Sequence, residues 1–205
     1  MKERKILGVI GGMGPLTTAS FFTRLVECTR ADNDADHIHV IMDSDATIPD
    51  RTAAILQGDN GCIAAIRASA KRLVAAGAQV LAMPCNTAHA FFDDIASAAP
   101  GLPFLNMVDA TVEAAAATQA KRIGVLATAG TVAAGVYQKK LEAAGLQAIL
   151  PSPAGQDEVM GLIYKGVKAG AVYDVTALKA ELDAMMERGT QLFILGCTEL
   201  GVGFA

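Results

Sequence analysis

The sequence contains no tryptophan, and aromatic residues make up only 5% of it, so it has little to stack against nucleic-acid bases. It has no basic cluster: the net charge is −4, and without a Lys/Arg patch the electrostatic attraction to phosphate is missing. Long hydrophobic runs are absent as well. Gly, Pro or a polar residue interrupts each run of apolar side chains after a few residues, whereas a membrane-spanning helix needs roughly 20 predominantly apolar ones. Residues 1–15 begin with charge, but their apolar segment is short and ends in a Gly-Pro turn, unlike a secretory leader with its longer apolar region and small-residue cleavage site. A cytoplasmic chain that engages neither nucleic acid nor membrane is expected.

Cysteine and histidine are scarce. The four cysteines, Cys28, Cys62, Cys85 and Cys197, are too few for a disulfide framework, and no pair has zinc-site spacing. No metal is expected, and each cysteine reads as a free thiol to be judged by its neighbours.

What is abundant is apolar and small. Of 205 residues, 52% are hydrophobic and 20 are glycine, enough to bury a real core. Short β-rich runs alternate with Ala-rich helical stretches. Strands are expected at 5–10, 37–42, 79–83, 104–108, 122–127, 147–150 and 191–195. Helices are expected from Pro15 through Leu25, at 62–76, from about Thr87, and at 109–118, 132–144, 157–168 and 175–188. Fully apolar strands alternating with helices indicate an α/β fold of parallel sheets flanked by helices.

The chain also repeats itself. Gly77-Ala78-Gln79-Val80-Leu81-Ala82-Met83-Pro84-Cys85 recurs as Gly189-Thr190-Gln191-Leu192-Phe193-Ile194-Leu195-Gly196-Cys197, an offset of 112 positions. Gly8-Val9-Ile10 recurs as Gly124-Val125-Leu126 at an offset of 116. Two similar, pseudo-symmetric lobes are expected, 1–108 carrying Cys85 and 109–205 carrying Cys197, with a cleft between them. Each cysteine would stand just past the C-terminal end of a strand, where ligands bind in open α/β folds.

Cys28 and Cys62 lie on helical stretches and read as inert. Cys85 and Cys197 instead leave an apolar strand for a polar turn, Asn86-Thr87 and Thr198-Glu199. Unpaired N–H groups of a following helix would face each sulfur and lower its pKa. Two such thiols in facing lobes suit racemisation, in which a thiolate removes a proton from one face of a carbon and a thiol returns one to the other. A covalent cysteine hydrolase is the competing reading; it needs a histidine partner, and His89 is the available candidate, although it could simply pack or cap. That reading leaves Cys197 without a role.

Met83-Pro84-Cys85-Asn86-Thr87-Ala88-His89 and Leu195-Gly196-Cys197-Thr198-Glu199-Leu200 resemble the two signatures of the aspartate/glutamate racemases, and Gly11-Gly12-Met13-Gly14-Pro15 resembles their N-terminal loop. The resemblance implies two α/β lobes, an active site in the cleft, no cofactor, a small acidic amino acid as substrate, and a homodimer. It implies Cys85 and Cys197 as the acid–base pair. Asn86, Thr87, Thr131 and Thr198 would hold the substrate's α-carboxylate, and Met13, Arg51 and Lys168, rather than Lys165, its side-chain carboxylate. Members of that family continue through another strand and helix after the second motif, whereas this sequence runs only through Gly201-Val202-Gly203-Phe204-Ala205.

Arg51 has a physical case of its own. It stands in the turn Ile48-Pro49-Asp50-Arg51-Thr52 beyond the second strand, and a guanidinium suits bidentate binding of a carboxylate; a surface arginine paired with Asp50 is the plainer alternative. Lys168 could equally be a solvated helix-end lysine. Glu199 could orient a neighbour or be an ordinary helix-start carboxylate. Gly12 and Gly14 are not continued into a dinucleotide-binding pattern, and no lysine is flanked by a loop for pyridoxal phosphate. Related one-cysteine chemistry on a dicarboxylate, such as maleate isomerisation or malonate decarboxylation, and an inactive dicarboxylate-binding protein remain the alternative functions.

Overall fold

Two parallel sheets organise the chain in the computed structural model, which describes residues 4–204. The first has the order β2-β1-β3-β4, with β1 Leu7–Gly11, β2 Val40–Ser44, β3 Val80–Ala82 and β4 Phe104–Leu105. The second has the order β6-β5-β7, with β5 Arg122–Ala127, β6 Gln147–Ile149 and β7 Leu192–Gly196. All five pairings are parallel. The central strands β1 and β5 are buried almost throughout, which accounts for their unbroken apolar sequences.

The helices are α1 Pro15–Cys28, α2 Arg51–Gln57, α3 Gly61–Ala75, α4 Phe92–Ala96, α5 Met107–Ala116, α6 Ala129–Ala133, α7 Gln138–Ala143, α8 Pro153–Gly161, α9 Thr176–Glu187 and α10 Thr198–Gly203. No described helix is long and apolar enough to cross a membrane. Separate apolar clusters back the two sheets, one around Ile10, Ile66, Leu73 and Leu81, another around Ile123, Val125, Leu141 and Ile194.

The internal repeat has a structural reason. Gly77 and Gly189 both turn with positive φ, 97° and 89°, ending α3 and α9 in a conformation that glycine adopts without strain. The glutamine two residues later then anchors the central strand of its own sheet. Gln79 Oε1 accepts from the Ile6 amide at 2.9 Å, and Gln191 Oε1 from the Lys121 amide at 2.7 Å. Gly8 and Gly124 lie under these turns, where an added Cβ would come 2.7 Å from Ala78 Cβ and 2.8 Å from Thr190 Cγ2 respectively.

Several expected elements differ. The second strand is displaced to 40–44. The strand expected at 104–108 stops at Leu105, because Asn106 caps α5 by accepting from the amides of Val108 and Asp109. The helix expected at 132–144 is broken into α6 and α7 at Gly135, whose φ is +67°. The helix expected at 157–168 begins at Pro153 behind a Ser152 cap and ends in a π-helical turn, Leu162–Val167. The expected turn at 48–52 delivers Arg51 as the first residue of α2, capped by Asp50.

Candidate active site

Cys85 follows β3 and Cys197 follows β7, the equivalent strands of the two sheets. Both thiols are free and buried, and both line one cleft whose walls come from both halves of the chain. The cleft is narrow, with room for about one water, roughly 10 Å³. Met13, Arg51, Asn86, Thr87, Lys168 and Thr198 line it too, as do Asp50, Thr52, Thr128, Tyr164 and Glu199. Thr131 does not line the cleft: it is fully buried behind it. Lys165 is exposed and does not line it. Cys28 is exposed at the end of α1, and Cys62 is buried against the core.

Cys197 is the N-cap residue of α10, its side chain making no capping hydrogen bond, and the expected lowering of its pKa is reversed. Burial pushes the thiol well up, and the Glu199 carboxylate pushes the same way, outweighing the Glu199 amide and any dipole. Sγ donates to Glu199 Oε2 at 3.0 Å, and Thr198 Oγ1 donates to the same oxygen at 3.2 Å. Glu199 is itself buried, and its Oε1 has no partner. Cys197 therefore rests as a thiol.

Arg51 is neither a surface residue nor paired with Asp50; it is 6% exposed. Nη1 donates to the carbonyls of Ile48 at 3.2 Å and Pro49 at 2.9 Å, Nη2 approaches the Met13 carbonyl at 3.5 Å, and Nε is unpaired. Asp50 reaches across the cleft instead. Its Oδ2 accepts from the Tyr164 hydroxyl at 2.9 Å and faces Lys168 Nζ at 3.8 Å, while Oδ1 caps α2 through the Ala53 amide at 2.8 Å. Burial raises the Asp50 carboxyl, but the Ala53 amide, Tyr164 and Lys168 outweigh it, so its pKa lies below the ordinary value. Lys168 Nζ also sits 4.4 Å from the Tyr164 ring centroid, a cation–π contact. Tyr164 and Lys168 come from the π-helical turn and its end, a type of distortion frequent at functional sites.

At the other end of the cleft three threonine hydroxyls form a closed ring joining the two halves. Thr87 bonds Thr128 at 3.0 Å, Thr128 bonds Thr131 at 3.0 Å, and Thr131 donates to Thr87 at 3.0 Å. Asn86 Oδ1 accepts from the Tyr137 hydroxyl at 2.5 Å, while its Nδ2 is buried without a partner. Thr128, Tyr137 and Tyr164 had no signal in the sequence, where each sits in an unremarkable loop or helical stretch, and Asp50 entered only as a partner for Arg51.

His89 is a structural histidine. Nε2 accepts from the Met107 amide at 3.3 Å, which leaves Nδ1 as the protonated nitrogen donating to the Cys85 carbonyl at 2.8 Å. Burial lowers its pKa. With both nitrogens engaged it offers Cys85 no base, and the hydrolase reading loses its dyad. The N-terminal glycines are also structural: an added Cβ at Gly12, whose φ is +87°, would overlap the Asp45 backbone. Among the described residues no group of three or more His, Cys, Asp or Glu is placed to hold a metal ion.

The family profile described as Asp/Glu/Hydantoin racemase matches residues 10–205. The broad specificity amino-acid racemase RacX of Bacillus subtilis is 29% identical over 199 residues, covering 95% of this chain and 86% of the relative. Among solved structures, the aspartate racemase of Picrophilus torridus matches with a TM-score of 0.81 at 31% identity, covering 98% of this chain and 84% of that one. An aspartate racemase homologue from Pyrococcus horikoshii gives 0.76 at 26% identity, covering 97% and 88%.

Proposed function

The chain belongs to the Asp/Glu/hydantoin racemase family, and from that premise we propose that it racemises an acidic amino acid, aspartate or glutamate, with Cys85 and Cys197 as the two proton-exchanging groups and no cofactor. The observation that carries this reading is the pair of buried thiols, each just past an equivalent strand, in one cleft. One thiolate takes the α-proton from one face of the substrate, and the opposite thiol supplies a proton to the other face.

Cys197 is ready as the acid. To act as the base for the opposite enantiomer it must lose its proton, and the S–H···O contact with Glu199 is the route. Cys197–SH and the Glu199 carboxylate become Cys197–S⁻ and a neutral carboxylic acid, so the pair keeps one negative charge throughout. No second charge is buried, which would be expensive at low dielectric.

Substrate charge is met at both ends. Removing the α-proton pushes electron density onto the α-carboxylate, where donors strengthen in the transition state; Asn86, Thr87 and Thr198, which line the cleft, would supply them. Arg51 and Lys168 would take the side-chain carboxylate, with Lys168 leaving its loose contact to Asp50. An amino acid is larger than the narrow cleft, and its entry would exchange the Thr87–Thr128 and Asp50–Tyr164 bonds for bonds to substrate.

Proton NMR of L-aspartate and L-glutamate with the protein in D2O, under reducing conditions, tests the reading. Loss of the α-proton signal together with the D-enantiomer on a chiral column supports it. Binding without exchange would point to an inactive dicarboxylate-binding protein. Equal turnover of uncharged amino acids would replace acidic specificity with a breadth like that named for the Bacillus relative.

A further inference from the structure

Tyr137 belongs to neither cysteine motif, yet it touches the neighbours of both cysteines. The break at Gly135 puts it in the turn between α6 and α7, where its side chain is 1% exposed. Its hydroxyl crosses to the other lobe and donates to Asn86 Oδ1 at 2.5 Å. Its ring lies against Gly196, where an added Cβ would come 3.0 Å from Tyr137 Cε2. A side chain before Cys197 would have to push the ring aside, at the position where the first half has Pro84 before Cys85.

A phenol that donates to the amide oxygen decides which way the amide faces. With Oδ1 engaged, the NH2 group must point the other way, and Nδ2 is the atom left buried and unpartnered in a residue that lines the cleft. A buried N–H pair without an acceptor is costly, and a bound carboxylate is what would satisfy it. We propose that Tyr137 is a positioning residue for the reaction proposed above: it locks the Asn86 amide so that its N–H groups face the substrate's α-carboxylate. Burial raises the phenol to about 12, so it stays a donor through the neutral range.

The inference rests on the racemase reading, so its test has one readout that does not. Tyr137→Phe keeps the ring and removes only the hydroxyl. In the kinetic arm, kcat/KM is expected to fall about tenfold in Tyr137→Phe, mostly through kcat, and more in Asn86→Ala. If the hydroxyl acts on the reaction through that amide, and not through its neighbour Thr111, the double variant should be no worse than Asn86→Ala. Asn86→Asp, which still accepts from Tyr137 but offers no N–H, should lose as much as Asn86→Ala, and it decides the point should Tyr137→Phe fail to fold. In the second arm, the Asn86 side-chain NH2 signals, identified by their loss in Asn86→Ala, are followed in a ¹⁵N–¹H spectrum and should shift or broaden in Tyr137→Phe. Additive losses, a fully active Asn86→Asp, or unmoved amide signals would overturn the proposal. A wild type that exchanges no α-proton would overturn the racemase reading, while the amide signals would still decide the role of Tyr137.

Discussion

Cys197 gives its thiol hydrogen to Glu199: Sγ and Oε2 are 3.0 Å apart, and both side chains are buried. Cys85 has no carboxylate in the matching place, because Thr87 occupies the position two residues on. The two lobes repeat their strands and turns but not the immediate surroundings of the sulfur. This asymmetry can be measured.

Replacing either cysteine by serine should abolish racemisation and leave the fold intact, because each thiol serves one face only. Each single variant should still exchange the α-hydrogen of one enantiomer with D2O, Cys85→Ser the enantiomer facing Cys197 and Cys197→Ser the other. NMR of each pure enantiomer reads this directly. Racemisation retained in either variant is incompatible with two bases.

Glu199→Gln should lower racemisation about 100-fold, the usual scale for losing a general base. The enantiomers are equal in energy, so kcat/KM must fall equally in both directions. The asymmetry emerges only in the cysteine variants: adding Glu199→Gln to Cys85→Ser should stop the residual exchange, and adding it to Cys197→Ser should leave the exchange in place. Equal loss in both backgrounds would remove Glu199 from the chemistry.

Stability should decline at alkaline pH. A thiol held protonated in the folded state, against an ordinary value of 9.0 in the unfolded chain, makes the unfolded state the readier proton donor. The folded state then binds more protons above that pH, so stability is constant below it and is lost as pH rises beyond it. Chemical denaturation at stepped pH should show the decline, and Cys197→Ser should make it shallower, leaving the part that the buried Cys62 thiol and the Tyr137 phenol contribute in the same direction. A wild-type profile level from pH 8 to 11 would contradict a buried, protonated Cys197.

Arg51→Ala should weaken binding of acidic substrates and also destabilise the protein by about 2 kcal/mol, because the carbonyls of Ile48 and Pro49 lose their donor. Arg51→Lys separates the roles: it keeps the charge but not the planar fork, so binding should recover further than stability. Calorimetric titration and thermal unfolding on both variants distinguish the effects. Unchanged affinity in Arg51→Ala would remove Arg51 from the side-chain carboxylate site.

Gly12→Ala should destabilise by more than about 3 kcal/mol, since it combines a positive φ of 87° with overlap onto the Asp45 backbone. Gly58→Ala is the control: its φ of 74° is also positive, but an added Cβ meets nothing within 4 Å. Its loss should be near 1 kcal/mol. Thermal unfolding of the pair measures the contribution of crowding alone.

Much of the architecture was legible because it repeats. Alternation of apolar strands with helices, two glycine–glutamine turns and two cysteines at matching strand ends need only local rules, and they indicated parallel sheets and one cleft. Misjudged boundaries share a cause. A cap at Asn106 and a left-handed glycine at Gly135 each ended an element that the apolar pattern would have continued, and a cap at Ser152 started a helix four residues before the expected position. The ionisation of Cys197 was also misjudged, because the helix-start argument takes account of the amide and not of burial or of the acceptor two residues away.

The sequence by itself determined the two-lobed α/β plan and the pairing of Cys85 with Cys197, since strand periodicity, glycine turns and a repeated motif are properties of neighbours along the chain. Only the tertiary structure decided that Arg51 is tied to carbonyls rather than to Asp50, that Asp50 holds Tyr164 and Lys168, that Thr128 rather than Thr131 lines the cleft, and that Tyr137 reaches Asn86. Apart from the Arg51 bonds to Ile48 and Pro49, these contacts join residues between 38 and 118 positions apart, or depend on which face of a short helix points inward. Local propensity carries no information about either. They are set by how the two sheets pack against each other, and that packing also sets the burial that raises the Cys197 thiol.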